Sequence, residues 1–204
     1  MITVAVEGDT DIPIVTKLCA AVGLDVREPV LDRGGKVALD AAIPGYAKAA
    51  HDAGYLVLRD LDNDAECAPT WLAANAPLQP KRFFRLRLAV RAIESWVMAD
   101  AESVASSLHV PAHRVPIKPD DEVDPKLTLV NLARLSTKPA VRAALVPTAG
   151  MTRKAGRGYE GWLIELGREK WRVDVAVKRS PSLARARNAL SALAVALREH
   201  ARGK

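Results

Sequence analysis

The sequence predicts an α/β fold: a Rossmann-like parallel sheet flanked by helices, followed by a helical, basic C-terminal extension. Two observations carry this. Short apolar runs end in acidic turns, Ile2 to Val6 into Glu7-Gly8-Asp9-Thr10-Asp11 and Tyr55 to Leu58 into Asp60-Leu61-Asp62-Asn63-Asp64. Runs of this kind bounded by turn chemistry read as buried parallel strands. Strand-like and helix-like segments then alternate with short connections, the pattern that places helices on both faces of a parallel sheet.

After the first acidic turn, Asp11 is placed to cap a helix with Pro13 in its first turn, Val15, Leu18, Cys19 and Val22 on one face, and Gly23 at its end. A strand over Val26 to Leu31 leads to the turn Arg33-Gly34-Gly35-Lys36. The alanine-rich segment reaching Ala53 is broken by Pro44-Gly45, which predicts two helical pieces. In the next strand Phe84, Leu86, Leu88 and Val90 alternate with Arg85, Arg87 and Arg91, a period of two. From Ala92 the period changes, and Ile93, Trp96 and Val97 form a helical stripe with Glu94 in its first turn. Between His109 and Pro125 the composition shifts to Pro, Asp and Glu, a loop or boundary, so the expected division is an α/β core over 1–108 and a mostly helical, basic extension over 109–204, with packing of the two as one unit left open. Within the extension, Leu127 to Leu135, Ala140 to Leu145 and Trp162 to Trp171 each supply a helix. Ser180 and Pro181 start the last one, whose stripe is Leu183, Leu190, Leu193 and Leu197.

At 204 residues the chain is long enough for one generous domain or a core with an extension. No apolar stretch approaches the roughly 20 residues of a membrane span, and the amino terminus enters a strand rather than a signal peptide. A cytoplasmic protein without membrane attachment is the expectation, and two cysteines, Cys19 and Cys67, without a disulfide or metal pattern agree with a reducing compartment. The net charge of +6 is unevenly placed: residues 150–204 hold 13 Lys or Arg against 5 Asp or Glu, whereas residues 1–149 hold 17 against 19. Such asymmetry suggests contact with a polyanion, most often nucleic acid; a solvated helical surface is the alternative.

Carboxylates gathered at the carboxyl ends of parallel strands repel one another, an arrangement that a cation offsets. Hard divalent cations take oxygen ligands, and Mg²⁺ (or Mn²⁺) binds through a few carboxylates while keeping waters for chemistry on phosphate oxygens. Glu7, Asp60 and Asp62 are the candidate ligands and catalytic residues, with Asp11 and Glu94 completing a second position. Asp11 as a helix cap and Glu94 as a first-turn acid favoured by the helix dipole are the competing readings. Asp64 extends the Asp-x-Asp pair, but the loop lacks the glycine and terminal glutamate of an EF-hand. His109 and His113 straddle Pro111 without cysteine partners, which argues against zinc, and no Gly-x-Ser-x-Gly elbow occurs.

Val6-Glu7-Gly8-Asp9-Thr10-Asp11 followed by Asp60-Leu61-Asp62 resembles the Toprim domain of topoisomerases, bacterial primases and the overcoming-lysogenization-defect nucleases. The likeness covers roughly residues 1–108. It implies a Toprim-like fold, a first-motif Glu7 serving as metal ligand or general acid/base, and an Asp60/Asp62 pair binding Mg²⁺. Ala92-Ile93-Glu94-Ser95-Trp96-Val97-Met98-Ala99-Asp100 is similar to a stretch of small Toprim-like proteins, some of which accompany an AAA-type ATPase in antiphage systems. The chain has neither an ATPase motif nor a topoisomerase tyrosine setting. The resemblance therefore implies a stand-alone nuclease, or the nuclease subunit of an ATPase-containing phage-defence system.

For nucleic acid, Arg33 and Lys36 flank a glycine turn able to cradle phosphate, a plain turn being the alternative, and Lys178, Arg179, Arg185 and Arg187 surround the start of the last helix. Aromatic residues make up only 4% of the chain, which disfavours recognition by base stacking. A Mg²⁺-dependent phosphodiesterase acting on DNA or RNA is the leading expectation. A non-catalytic Toprim-like module that binds nucleic acid or a partner is the alternative, phosphoryl chemistry on a small nucleotide is a weaker third, and a homo-oligomer is left open.

Overall fold

In the computed structural model, which describes residues 1–77, 81–148, 150 and 152–203, four strands form one parallel sheet. They are β1 (Ile2–Val6), β2 (Leu31–Asp32), β3 (Gly54–Asp60) and β4 (Phe84–Ala89), in the order β2-β1-β3-β4. The chain winds from β1 outward to β2, then returns to the other side of β1 for β3 and β4. The strand order therefore reverses between β1 and β3, and ligands in open α/β sheets bind at the carboxyl ends of the strands at such a reversal.

One sheet face carries Ala5, Val57, Leu86 and Leu88 and is covered by α2 (Lys36–Ala49) and α3 (Ala68–Asn75) through Leu39, Ile43 and Trp71. The opposite face carries Val4, Val6, Leu56 and Leu58. Against it pack α1 (Ile12–Ala20) and α10 (Pro181–Arg202), with Leu18, Leu183 and Leu190 in the same core. That core continues without a break into α4 (Ile93–Met98), α5 (Ala101–Leu108), α6 (Pro125–Arg134), α7 (Pro139–Leu145), α8 (Tyr159–Glu165) and α9 (Val173–Ala176). Residues 109–204 thus share one hydrophobic core with the sheet.

Polar contacts pin this arrangement. Trp96 Nε1 donates to Ser182 Oγ at 2.7 Å and Trp171 Nε1 to the Trp96 carbonyl at 3.0 Å, so the two largest buried rings have no unmet donor. Asp100, fully buried at 0% exposure, caps α5 and accepts from Arg172 at 2.6 and 2.9 Å. Gly54 starts β3 where a Cβ would lie 2.5 Å from Ile2 Cγ2, so strand and α10 close together only over a glycine.

Two elements differ from the sequence expectation. The segment Val26 to Leu31 is not one strand: Val26 makes an isolated bridge to Ile2, and regular pairing begins at Leu31, after Pro29, which has no N–H for a ladder. The alanine-rich segment is a single helix, α2, with Pro44 inside it. Pro44 and Gly45 face outward, while Leu39, Ile43 and Ala47 keep a four-residue buried stripe on the other side. That burial outweighs one lost hydrogen bond. Among the described residues no helix is long and apolar enough to cross a membrane.

Candidate functional site

Glu7 follows the last residue of β1 and Asp60 ends β3, so the two carboxylates flank the reversal point from adjacent strands. Glu7 Oε1 accepts the Asp60 backbone N–H at 2.8 Å, and Asp60 Oδ1 accepts the Ile93 N–H at the start of α4 at 2.9 Å. Each acid is thereby oriented by the element that carries the next. Asp11, Asp62 and Glu94 line the same cavity, of about 490 Å³. The structure therefore brings all five sequence-predicted acids to one site.

Asp11 sits at the N-cap position of α1 but makes no capping bond there; its carboxylate turns back to the Gly8 N–H at 3.1 Å, closing the acidic turn. It is 5% exposed. Burial, reinforced by Glu7 and Glu94, pushes its carboxyl up to about 7 against the Gly8 hydrogen bond. Asp60 is raised well above the ordinary carboxylate range by burial and by Asp11, Glu94, Glu7 and Asp62. Burial also raises Glu7, against the pull of the Asp60 N–H and Arg59. Glu94, 6% exposed, is raised by burial, with its own N–H, Lys126 and a Tyr159 hydroxyl donating at 3.2 Å in opposition.

Cations hold the rim. Lys36 Nζ bonds Asp62 at 3.0 Å and Asp64 at 2.9 Å. Behind the loop, Arg59 is clamped by Asp40 at 2.7 Å and Asp64 at 2.6 Å and lies 4.4 Å over the Trp71 ring. Asp62 has φ 49°, a left-handed conformation that Asp tolerates. Arg91 fixes that turn by donating to the Asp62, Ala65 and Glu66 carbonyls. Two further cations come from the distant half of the chain: Lys126 in the first turn of α6, 5.1 Å over the Tyr159 ring, and Lys154, paired with Asp124 at 3.0 Å.

Lys126, Lys154, Arg91 and Tyr159 were not among the sequence candidates. The only local signal was Asp124-Pro125, a cap and N1 pair that places Lys126 at a helix start. Of the basic residues the sequence singled out, none lines this cavity. In the glycine turn, the Arg33, Gly34 and Gly35 N–H groups donate to the Val6 carbonyl, Asp32 Oδ1 and the Glu7 carbonyl, so they are spent inside the protein rather than on a phosphate. Gly34 and Gly35, at φ 67° and 121°, are where that turn needs glycine. Lys36 is engaged by Asp62 and Asp64. Arg179 donates to the Pro116 and Ile117 carbonyls and, with Lys178, lines a separate groove. Arg185 is exposed and Arg187 half-buried, both on α10.

The donor set is all oxygen, the ligand type that hard divalent cations take, and burial first, then the neighbouring acids, raise the carboxyls of Asp11 and Asp60. Among the described residues no three His, Cys, Asp or Glu side chains already stand in a metal-holding arrangement. Glu7 and Asp60 each direct one oxygen to a backbone N–H, and Asp62 is held by Lys36. No protein-family model, curated protein or solved structure matches the chain.

Proposed function

We propose that the protein is a Mg²⁺- or Mn²⁺-dependent phosphodiesterase of the Toprim type acting on nucleic acid. The observation that carries the reading is the pairing of Glu7 with the Asp60 backbone at the strand-order reversal, inside one cavity shared with Asp11, Asp62 and Glu94. Glu7, Asp60 and Asp62 would hold the cation, with Asp11 and Glu94 able to complete the set. When bound, such a cation supplies Lewis-acid polarisation of a phosphoryl oxygen and a water of lowered pKa.

The chain's own groups do the rest. The Ile93 N–H fixes the rotation of Asp60, and Tyr159 holds Glu94 toward the cavity. Lys126 and Lys154 draw the phosphodiester in and offset its charge at the open side. Lys154 is exposed and paired with Asp124, so it can exchange that carboxylate for a phosphate oxygen at little cost. An AAA-type ATPase partner, and a place in phage defence, belong to this proposal through the resemblance of residues 92–100.

A non-catalytic module that binds nucleic acid or a partner is the second reading, favoured by Lys36 sitting on Asp62. Plasmid nicking with Mg²⁺ or Mn²⁺ separates the two. Cleavage that the parent performs and Asp60→Asn loses supports the enzyme. Equal cleavage by both proteins overturns the assignment of this site, and metal-dependent DNA binding without cleavage supports the module.

A further inference from the structure

Strand β4 is the outer strand of the sheet, and its Arg85 and Arg87 are paired in register with Leu56 and Leu58, so both guanidinium stems leave the same face as those leucines. Asp60, two residues on from Leu58, belongs to that face by the same alternation. Helix α10 runs antiparallel beside β4. Arg82 meets Glu199 at 3.5 Å, Arg85 Nε donates to the Ala189 carbonyl at 3.1 Å, and Trp96, beyond the strand's end, reaches Ser182. Arg87 therefore falls alongside the helix between Ala189 and Ser182, where Arg185 stands one turn from Ala189. Burial lowers the pKa of Arg87, and the neighbouring Arg85 and Arg185 lower it further, as like charges brought together do.

Arg85 also donates to the Lys81, Arg82 and Phe84 carbonyls, so its hydrogen bonds are spent on the backbone while its charge is not balanced by them. Among the described residues no carboxylate is ion-paired with Arg85, Arg87 or Arg185; the nearby acid Glu199 is taken by Arg82. Arg87 Nε is buried without a hydrogen-bond partner. Three like charges held together beside an edge strand, one of them with an unmet donor, cost free energy unless an anion joins them. Arginine forks suit phosphate oxygens and accept them two at a time.

We infer that Arg87 and Arg185, backed by the charge of Arg85, form a phosphate-backbone site along β4 and α10 that holds the nucleic acid whose phosphodiester enters the acidic cavity. The inference deepens the phosphodiesterase reading and rests on it for the identity of the ligand. Contacts of this kind hold any sequence, in keeping with the shortage of stacking aromatics.

The test is binding of a short fluorescein-labelled DNA duplex in EDTA, followed by anisotropy over a salt series. It compares the parent with Arg185→Gln, Arg87→Gln/Arg185→Gln and Arg134→Gln. The last carries the same charge change at the far end of α6, where Arg134 bonds Asn131. The slope of log affinity against log salt should fall by about 0.9 for Arg185→Gln and about 1.8 for the double variant, and stay unchanged for Arg134→Gln. Arg185 is exposed, so its variant decides the matter even if Arg87→Gln fails to fold by circular dichroism. Equal slopes for Arg185→Gln and Arg134→Gln overturn the inference, as does competition by polyglutamate equal to that of unlabelled DNA, which would make it a site for an acidic protein. A parent that shows the arginine-dependent slope yet never cleaves with Mg²⁺ or Mn²⁺ leaves the phosphate-backbone site standing and removes the phosphodiesterase; cleavage with unchanged slopes does the reverse.

Discussion

Replacing Asp11 by Asn should stabilise the metal-free protein, and only on the alkaline side. Asn keeps the volume and an acceptor oxygen for the Gly8 N–H, now at 3.1 Å from the carboxylate, while removing the charge. In the parent, burial and the Glu7 and Glu94 carboxylates move the Asp11 carboxyl from 3.8 to about 7. A carboxyl whose folded pKa lies above its unfolded value binds its proton more tightly in the native state. Its contribution is complete below the unfolded value and is lost as pH rises through the folded value. Carried from 3.8 to about 7, the loss amounts to roughly 4 kcal/mol near pH 8, spread over Asp11 and the acids titrating with it, and to about 1 kcal/mol near pH 4.5. Asp64, Asp100 and Asp124 have lowered values, so their stabilising share is lost only under more acidic conditions and does not overlap this window. Urea unfolding in EDTA across that range measures the difference directly. Asp11→Asn should exceed the parent by about 2–4 kcal/mol at the alkaline end and converge on it at the acidic end. A variant less stable than the parent throughout, or a difference that does not change with pH, would refute the claim that the site carries uncompensated negative charge.

The remaining predictions concern how the site is held. Gly54→Ala drives a Cβ to 2.5 Å from Ile2 and 2.9 Å from Leu197, so thermal and urea melts should show a loss of about 1–3 kcal/mol. Asp100→Ala leaves the Ser103 hydroxyl and the Arg172 N–H without a buried acceptor, while half-exposed Arg172 keeps Glu102, and should cost about 1–3 kcal/mol by urea unfolding. Tyr159→Phe removes the hydroxyl that donates to Glu94, so the pKa of Glu94, followed by carboxyl NMR, should rise further; a fall would show that the hydroxyl does not favour the ionised form.

The strands and the acids that end them were legible because one local rule governs both: an apolar run must stop where the chain leaves the sheet, and Glu7 and Asp60 sit at those stops. Glu94 was legible because the period changes from two to helical at Ala92, which fixes it just beyond β4. Interruptions were harder to read. Pro44 predicts a break locally, yet the buried stripe Leu39, Ile43 and Ala47 carries α2 through it. Pro29 does the opposite, leaving β2 two residues long. Of the rim, Lys36 was named from the sequence, but Lys126 and Lys154 were not: they reach the cavity because α6 and the segment before α8 fold back over the sheet edge, a juxtaposition no periodicity encodes. The same holds for Arg85 and Arg87. Their alternation announced a strand, but only the antiparallel course of α10 sets Arg185 beside them, and Arg179, chosen on charge alone, is occupied by loop carbonyls.

Titration of the metal-free protein with Mn²⁺, followed by electron paramagnetic resonance and repeated with Mg²⁺ as competitor, tests the central claim most directly. Saturable binding that Mg²⁺ displaces, and that Asp60→Asn and Glu7→Gln each abolish while remaining folded by circular dichroism, is the predicted result. Binding absent from the parent, or unchanged in both variants, would contradict the account that these carboxylates are gathered to share a divalent cation.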